Sequence, residues 1–216
     1  MCMTRLSKFV FSILIVVLAA CHGKPYKPLP YYLSPDLTPV WVSENSDSFK
    51  NIHQIPDFSF LNQNGKVITQ YHLRGKIHVA NFIFTSCTSI CPKMVNNFLD
   101  LQKTFDEDKE VMLISYTVNP EVDSVGTLNR YAKIKNIDNS KWWLLTGNKT
   151  ALYTLAKKEY FAGDSIGYYG DLNEFLHTEK VFLVDKHSRI RGVYNGTLPV
   201  EMDRIKEDIA TLEMEE

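Results

Sequence analysis

The sequence predicts an α/β domain in which a central mixed β-sheet is flanked by helices, with a β-hairpin added on its N-terminal side. Three observations predict it. Ile77 to Phe84 and Val111 to Val118 are continuously apolar, β-branched and aromatic, the pattern of strands buried on both faces. Between and after these runs, apolar residues recur at helical spacing. Near each end of the domain, short strand-like segments flank turn residues, and the resulting hairpins make the sheet mixed.

In order, Phe58-Ser59-Phe60-Leu61 and Val67-Ile68-Thr69 form the first hairpin around Asn62-Gln63-Asn64-Gly65-Lys66. Met94, Phe98, Leu101 and Phe105 mark a helix after the first long strand. Residues 123–137 read as a second helix with Val125, Leu128, Tyr131 and Ala132 on one face. Trp142 to Leu145 is a short strand, followed by a helix through Ala151, Leu152, Leu155 and Ala156 that Thr150 is placed to cap. Tyr160 to Leu176 is irregular, with Gly163, Gly167 and Gly170. Lys180 to Val184 and Ile190 to Tyr194 form a second hairpin, and Met202 to Leu212 a terminal helix. A cysteine pair after the first long buried strand, at a helix start, is the thioredoxin-like arrangement. It lies at the carboxyl end of a strand, where sites form in open α/β sheets.

Residues 1–20 are read as a signal peptide outside the fold. Arg5 and Lys8 precede an apolar run from Phe9 to Ala20 that is too short for an ordinary membrane span. Leu18-Ala19-Ala20-Cys21 resembles a bacterial lipoprotein signal, which makes Cys21 the lipidated first residue. An uncleaved anchor helix is the alternative. Either way the domain is exported and held on a membrane, which places it in the bacterial cell envelope facing the periplasm. Residues 21–50 carry Pro25, Pro28, Pro30, Pro35 and Pro39 and read as an extended tether, on which Tyr31, Tyr32, Val40 and Trp41 are positioned to pack against the domain. Residues 51–216 form that domain.

The formal net charge is −1, so no basic excess exists to bind phosphate backbones, and nucleic acid is excluded as a partner. Of the four cysteines, Cys2 leaves with the signal and Cys21 is taken by lipid. Only Cys87 and Cys91 remain, which is not a disulfide scaffold, and a domain of this size folds on its core alone. The pair is therefore read as doing chemistry. A helix N-terminus favours negative charge and biases a thiol there toward thiolate. At i and i+4, two Cβ atoms lie ~5–6 Å apart on one helix face. Two sulfurs so placed can chelate one metal at ~2.3 Å each, and a small adjustment brings them into a disulfide.

Six histidines are available. His22 lies on the tether and His78 within a buried strand. His53, His72 and His187 read as solvated surface groups. His177 ends the irregular loop and precedes the strand Lys180 to Val184, which in a thioredoxin-like sheet neighbours the first buried strand. It is the candidate third ligand. Soft thiolates with an imidazole suit copper(I) and also zinc.

Phe84-Thr85-Ser86-Cys87, then Cys91-Pro92-Lys93-Met94, Leu145-Thr146-Gly147, and His177 followed by Val181-Phe182-Leu183-Val184-Asp185 together resemble the Sco/SenC/PrrC copper-chaperone family over about residues 55 to 212. The resemblance implies one copper ion held by Cys87, Cys91 and His177. It also implies a role in assembling the dinuclear copper centre of cytochrome c oxidase, by copper delivery or by reduction of target cysteines. The partner would be the copper-bearing oxidase subunit or another copper or thiol protein. One departure stands out: the family's usual Asp-Pro is Asn119-Pro120 here, although Asp123 keeps the next acidic position. Asp164 and Asp171 precede His177 as solvated loop carboxylates or as groups that orient it. Met94, a turn beyond Cys91, reads as core.

Three functions compete. The first is a copper-binding assembly factor, a chaperone rather than an enzyme. The second is a membrane-anchored thiol–disulfide oxidoreductase. The third is a thiol peroxidase. C-x₃-C in place of C-x₂-C, and His177-Thr178 where thioredoxin-type reductants resemble each other in carrying a cis-proline, favour the metal site.

Overall fold

The computed structural model describes residues 27–43, 45–163 and 178–215. A small arm hairpin pairs β1 (Tyr31–Tyr32) with β2 (Pro39–Val40). The main sheet then builds from β3 (Ser59–Asn62), β4 (Val67–Thr69), β5 (Ile77–Ile83), β6 (Val111–Thr117), β7 (Trp142–Thr146), β8 (Lys180–Val184) and β9 (Ile190–Asn195). Its seven strands run in the order β4-β3-β7-β6-β5-β8-β9. The central β7-β6-β5 block is parallel, and the hairpins add antiparallel strands at both margins. This is the mixed, thioredoxin-like sheet that the sequence predicts.

Every residue of β5 and β6 is buried, as their unbroken apolar runs require. Alternate residues feed two cores. On one face Val79, Ile83, Leu113 and Trp142 meet Val95 and Phe98 of α1 (Cys91–Thr104), Leu128 of α2 (Val125–Lys135) and Ile205 of α4 (Pro199–Glu215). On the other, Phe60, Phe82, Tyr116 and Phe182 meet Leu152 and Tyr160 around α3 (Lys149–Thr154). Met94 is fully buried in the first core, as expected. Gln63 completes the seam between β3 and β7 by imitating a backbone rung. Its Nε2 donates to the Trp142 carbonyl and its Oε1 accepts from Leu144 N–H, both at 2.9 Å.

Several local expectations are corrected. Asn148, not Thr150, caps α3, its Oδ1 accepting from Ala151 N–H at 3.0 Å. The helix then widens into a π-type turn, Leu155–Glu159. His53 is not a solvated group: its Nε2 lies 2.8 Å from the Glu159 carbonyl and its ring 4.7 Å from Phe161. His72 also has partners, its Nδ1 accepting from Thr69 N–H at 3.1 Å in a capping box. His78 is fully buried, with Nε2 3.2 Å from the Tyr160 hydroxyl.

The arm docks through charge more than through its apolar side chains. Val40 and Trp41 stay exposed, whereas Tyr31 is buried beneath Arg191, whose guanidinium carbon lies 4.1 Å from its ring centroid. Arg191 donates to the Leu29 and Pro30 carbonyls and pairs with Asp185 and Glu215, while Glu215 accepts from Leu29 N–H. Among the described residues no helix is long and apolar enough to cross a membrane.

Two outcomes are expected. Burial pushes the His78 pKa down to about 4, so between that value and 6.5 the unfolded chain binds a proton that the folded chain does not. Stability is therefore lost as pH falls across that window, by about 3 kcal/mol. Urea unfolding of wild type and His78→Leu against pH checks it, since the variant lacks this component. Arg191→Met leaves Asp185 with Arg189 alone and Glu215 without its guanidinium partner. It is expected to cost about 2–3 kcal/mol, less than breaking a buried pair outright, and to expose residues 27–43 to limited proteolysis.

Candidate metal centre

After β5 stops at Ile83, the chain turns through residues 84–90 before α1 begins at Cys91. Cys87 N–H donates to the Phe84 carbonyl at 3.2 Å and closes the turn. Pro92 occupies the first helical positions, where its missing N–H is not needed and its φ suits the helix. No side-chain oxygen caps α1, and Ile90 before it is already in helical conformation. The Cys87 sulfur takes that role: the N–H groups of Cys91, Ser89 and Ile90 are directed at it.

The two thiols are free and unequal. Burial works to raise the Cys87 pKa. The three N–H groups, together with the Cys91 thiol, outweigh it and hold the pKa below the ordinary thiol value. At Cys91, 3% exposed, burial dominates and, with the Cys87 sulfur beside it, pushes the pKa up to about 12. The helix-terminus argument from the sequence thus holds for Cys87, which is half-buried and reachable. It fails for Cys91, where burial in the core outweighs the backbone hydrogen bond from Phe84 of the turn.

β8 runs antiparallel to β5, with Val181 opposite Asn81 and Val184 opposite His78. Its first residues therefore lie at the end of the sheet where β5 delivers the cysteines. Thr178, just before β8, is buried, and its Oγ1 accepts from Lys180 N–H at 3.1 Å. His177, the predicted third ligand, lies outside the described residues, as do Asp164, Asp171 and Cys21.

One acidic group gains a role that the sequence did not reveal. Asp123 is fully buried. Its carboxylate accepts from Thr85 N–H at 3.1 Å, Thr85 Oγ1 at 2.5 Å and Thr117 Oγ1 at 2.5 Å. Thr85 belongs to the cysteine turn and Thr117 ends β6, so the carboxylate ties one to the other. Asn119 holds the turn after β6, its carbonyl accepting from Asp123 N–H at 2.9 Å and its own N–H donating to Thr117 Oγ1 at 3.0 Å. Tyr131 of α2 lies in the same neighbourhood. Burial, then the charges of Cys91, Cys87 and Asp123, push its phenol up to about 12. The sequence signal for Asp123 was the acidic position it keeps after Asn119-Pro120; that it directly precedes the helix cap Ser124 only the structure shows.

Comparison with known proteins agrees with the fold and the motif. The sequence profile of the SCO1/SenC family matches residues 46–213, and the chain belongs to that family. It is 29% identical to the SCO1 protein homolog of Bacillus subtilis over 205 residues, covering 92% of each chain. A SCO1/SenC family lipoprotein from Bacillus anthracis str. Ames superposes with a TM-score of 0.65 at 28% identity, over 74% of this chain and 95% of that one. BsSco, a member of the Sco family of cytochrome c oxidase assembly proteins in which a disulfide switch has been identified, superposes with a TM-score of 0.64 at 30% identity, over 75% and 94%. Arabidopsis thaliana ScoI, solved with copper bound, shares the fold with a TM-score of 0.56 at 22% identity, over 72% and 97%.

The inequality of the thiols has a direct chemical readout. At pH 7, iodoacetamide is expected to alkylate Cys87 at least about tenfold faster than Cys91, because Cys87 is both reachable and biased toward thiolate. Peptide mass mapping of a time course checks it.

Proposed function

We propose that this SCO1/SenC-family chain is a membrane-anchored copper chaperone that assists assembly of the dinuclear copper centre of cytochrome c oxidase. Its cargo is one copper ion, held by Cys87, Cys91 and His177. The observation that carries this reading is the thiol pair itself: one reachable sulfur, Cys87, in the turn before α1, and a second, buried sulfur at Cys91, the first residue of that helix. Soft sulfur donors fit copper(I), and the His177 imidazole, three residues before β8 in sequence, would complete a three-ligand set. Three protein ligands leave a position open for a recipient's ligand, which handing on the ion requires. Copper binding in the Arabidopsis relative and the oxidase-assembly role of BsSco support the same conclusion.

In this reading residues 1–20 are cleaved, Cys21 carries the lipid, and 21–50 tether the 51–216 domain to a membrane facing the periplasm. The lipoprotein relative from Bacillus anthracis supports the lipid anchor.

A second reading has an observation of its own. Unequal thiols are what a thiol–disulfide reductant needs. Cys87 as thiolate would attack a partner's disulfide, forming a mixed disulfide and releasing one partner sulfur. Cys91, on losing its proton, would then attack the Cys87 sulfur, leaving an intrachain disulfide here and a dithiol on the partner. Two electrons and two protons pass to the partner.

The test is an anaerobic copper titration of reduced residues 22–216 beside Cys87→Ser, Cys91→Ser and His177→Ala, read by stoichiometry and by sulfur-to-copper(II) charge-transfer absorption. One tight ion per chain is expected, with each substitution weakening binding by at least about a hundredfold, as loss of one of three ligands should. Copper affinity unaltered by His177→Ala would refute the three-ligand set. No tight copper, with reversible oxidation of the dithiol, would favour the reductant.

A further inference from the structure

Asp123 is a buried carboxylate with an unusual set of partners. Among the described residues no lysine or arginine pairs with it, so the cost of burying its charge is offset by three donors alone. Two of the three, the N–H and hydroxyl of Thr85, come from the turn that carries Cys87. The third, the Thr117 hydroxyl, comes from the end of the neighbouring strand β6. Asp123 is itself fixed independently of that turn: its N–H donates to the Asn119 carbonyl at 2.9 Å, and Ser124 after it caps α2 by accepting from Thr127 N–H at 3.3 Å. A rigid post on one loop thus grips the other loop two residues before the reachable cysteine.

We propose that Asp123 is the positioning residue of the cysteine turn, holding Cys87 within reach of Cys91 and placing a fixed negative charge beside the site. This rests on the reading of Cys87 and Cys91 as the working pair. Two consequences follow. A turn held in one conformation raises the effective concentration of one sulfur at the other, which favours the disulfide over the dithiol. A buried anion beside the sulfurs favours a cation between them, and a doubly charged one more than a singly charged one. Asp123 therefore biases the site toward its oxidised and its copper(II)-loaded forms.

The experiment uses Asp123→Asn, which keeps the side-chain shape but removes the charge and one acceptor, and Thr85→Val, which removes only the hydroxyl on the turn. Leu212→Ala, a buried residue of α4 far along the helix core, is the destabilised control. In metal-free protein the dithiol is equilibrated with reduced and oxidised glutathione, whose disulfide supplies the oxidant. Both Asp123→Asn and Thr85→Val are expected to shift the equilibrium about tenfold toward the dithiol, which is about 30 mV for this two-electron couple. Copper(II) affinity is expected to fall about tenfold for Asp123→Asn, with a displaced sulfur-to-copper(II) absorption. The control should lower the melting temperature and leave both readouts at wild type. If Asp123→Asn and Thr85→Val lose only melting temperature, like the control, Asp123 is structural and the proposal is overturned. If Asp123→Asn does not fold, Thr85→Val decides by the same criterion. A wild type that fails to bind copper would sink the copper reading, while the glutathione equilibrium would still test Asp123.

Discussion

The site depends on the double pairing of β5. This strand is bonded along its whole length to parallel β6 on one side and, from His78 to Asn81, to antiparallel β8 on the other. Its residues therefore cannot slip without breaking two ladders and exchanging the contents of both cores, since a one-residue shift sends every side chain to the opposite face. That constraint fixes where the strand ends, and so where the turn carrying Cys87 and Cys91 begins. The opposed direction of β8 brings its first residues to that same end. The parallel direction of β6 brings Thr117 and the loop bearing Asp123 there too.

Buried charge is organised differently at two places in the molecule. Beside the cysteines a lone carboxylate is satisfied by neutral donors, which leaves its negative field available to the site. Where the arm joins the domain, Arg189 and Arg191 neutralise Asp185, and Arg191 also pairs with Glu215. That cluster is spent on attachment. Arg191 bonds the Leu29 and Pro30 carbonyls and covers Tyr31, so the chain leading from the predicted lipid anchor joins the domain at a defined place.

The unequal thiols explain how one site suits both metal and disulfide chemistry. Cys87 is reachable and stabilised as a thiolate by backbone N–H groups, so under the proposed function it would make first contact with a metal or a partner sulfur. Cys91 is buried and stays protonated until a metal or a neighbouring disulfide gives it reason to ionise. Bringing one sulfur from the turn beside another at the start of α1 would serve both outcomes, and the two would compete for the same atoms.

Much of this was legible in the chain. The strands were readable because their apolar runs have no polar interruption, and both hairpins because turn residues sit between short alternating segments. The cysteines were readable because their spacing and position relative to β5 are local. Other features were not. His53 and His72 were read as solvated, yet their partners are supplied by Glu159 and Phe161 and by the capping of a short helical turn. Asp123 and Thr85 are 38 residues apart, and Arg191 and Leu29 162 apart, so neither contact leaves a periodic trace. The sequence by itself determined which residues are the candidates for the chemistry and which segments become strands, because side-chain type and hydrophobic period are written locally. Only the tertiary structure decided that Cys87 is biased toward thiolate while Cys91 is held protonated, and that a carboxylate from another loop grips the turn just before Cys87, because burial and distant hydrogen bonds exist only once the sheet has closed.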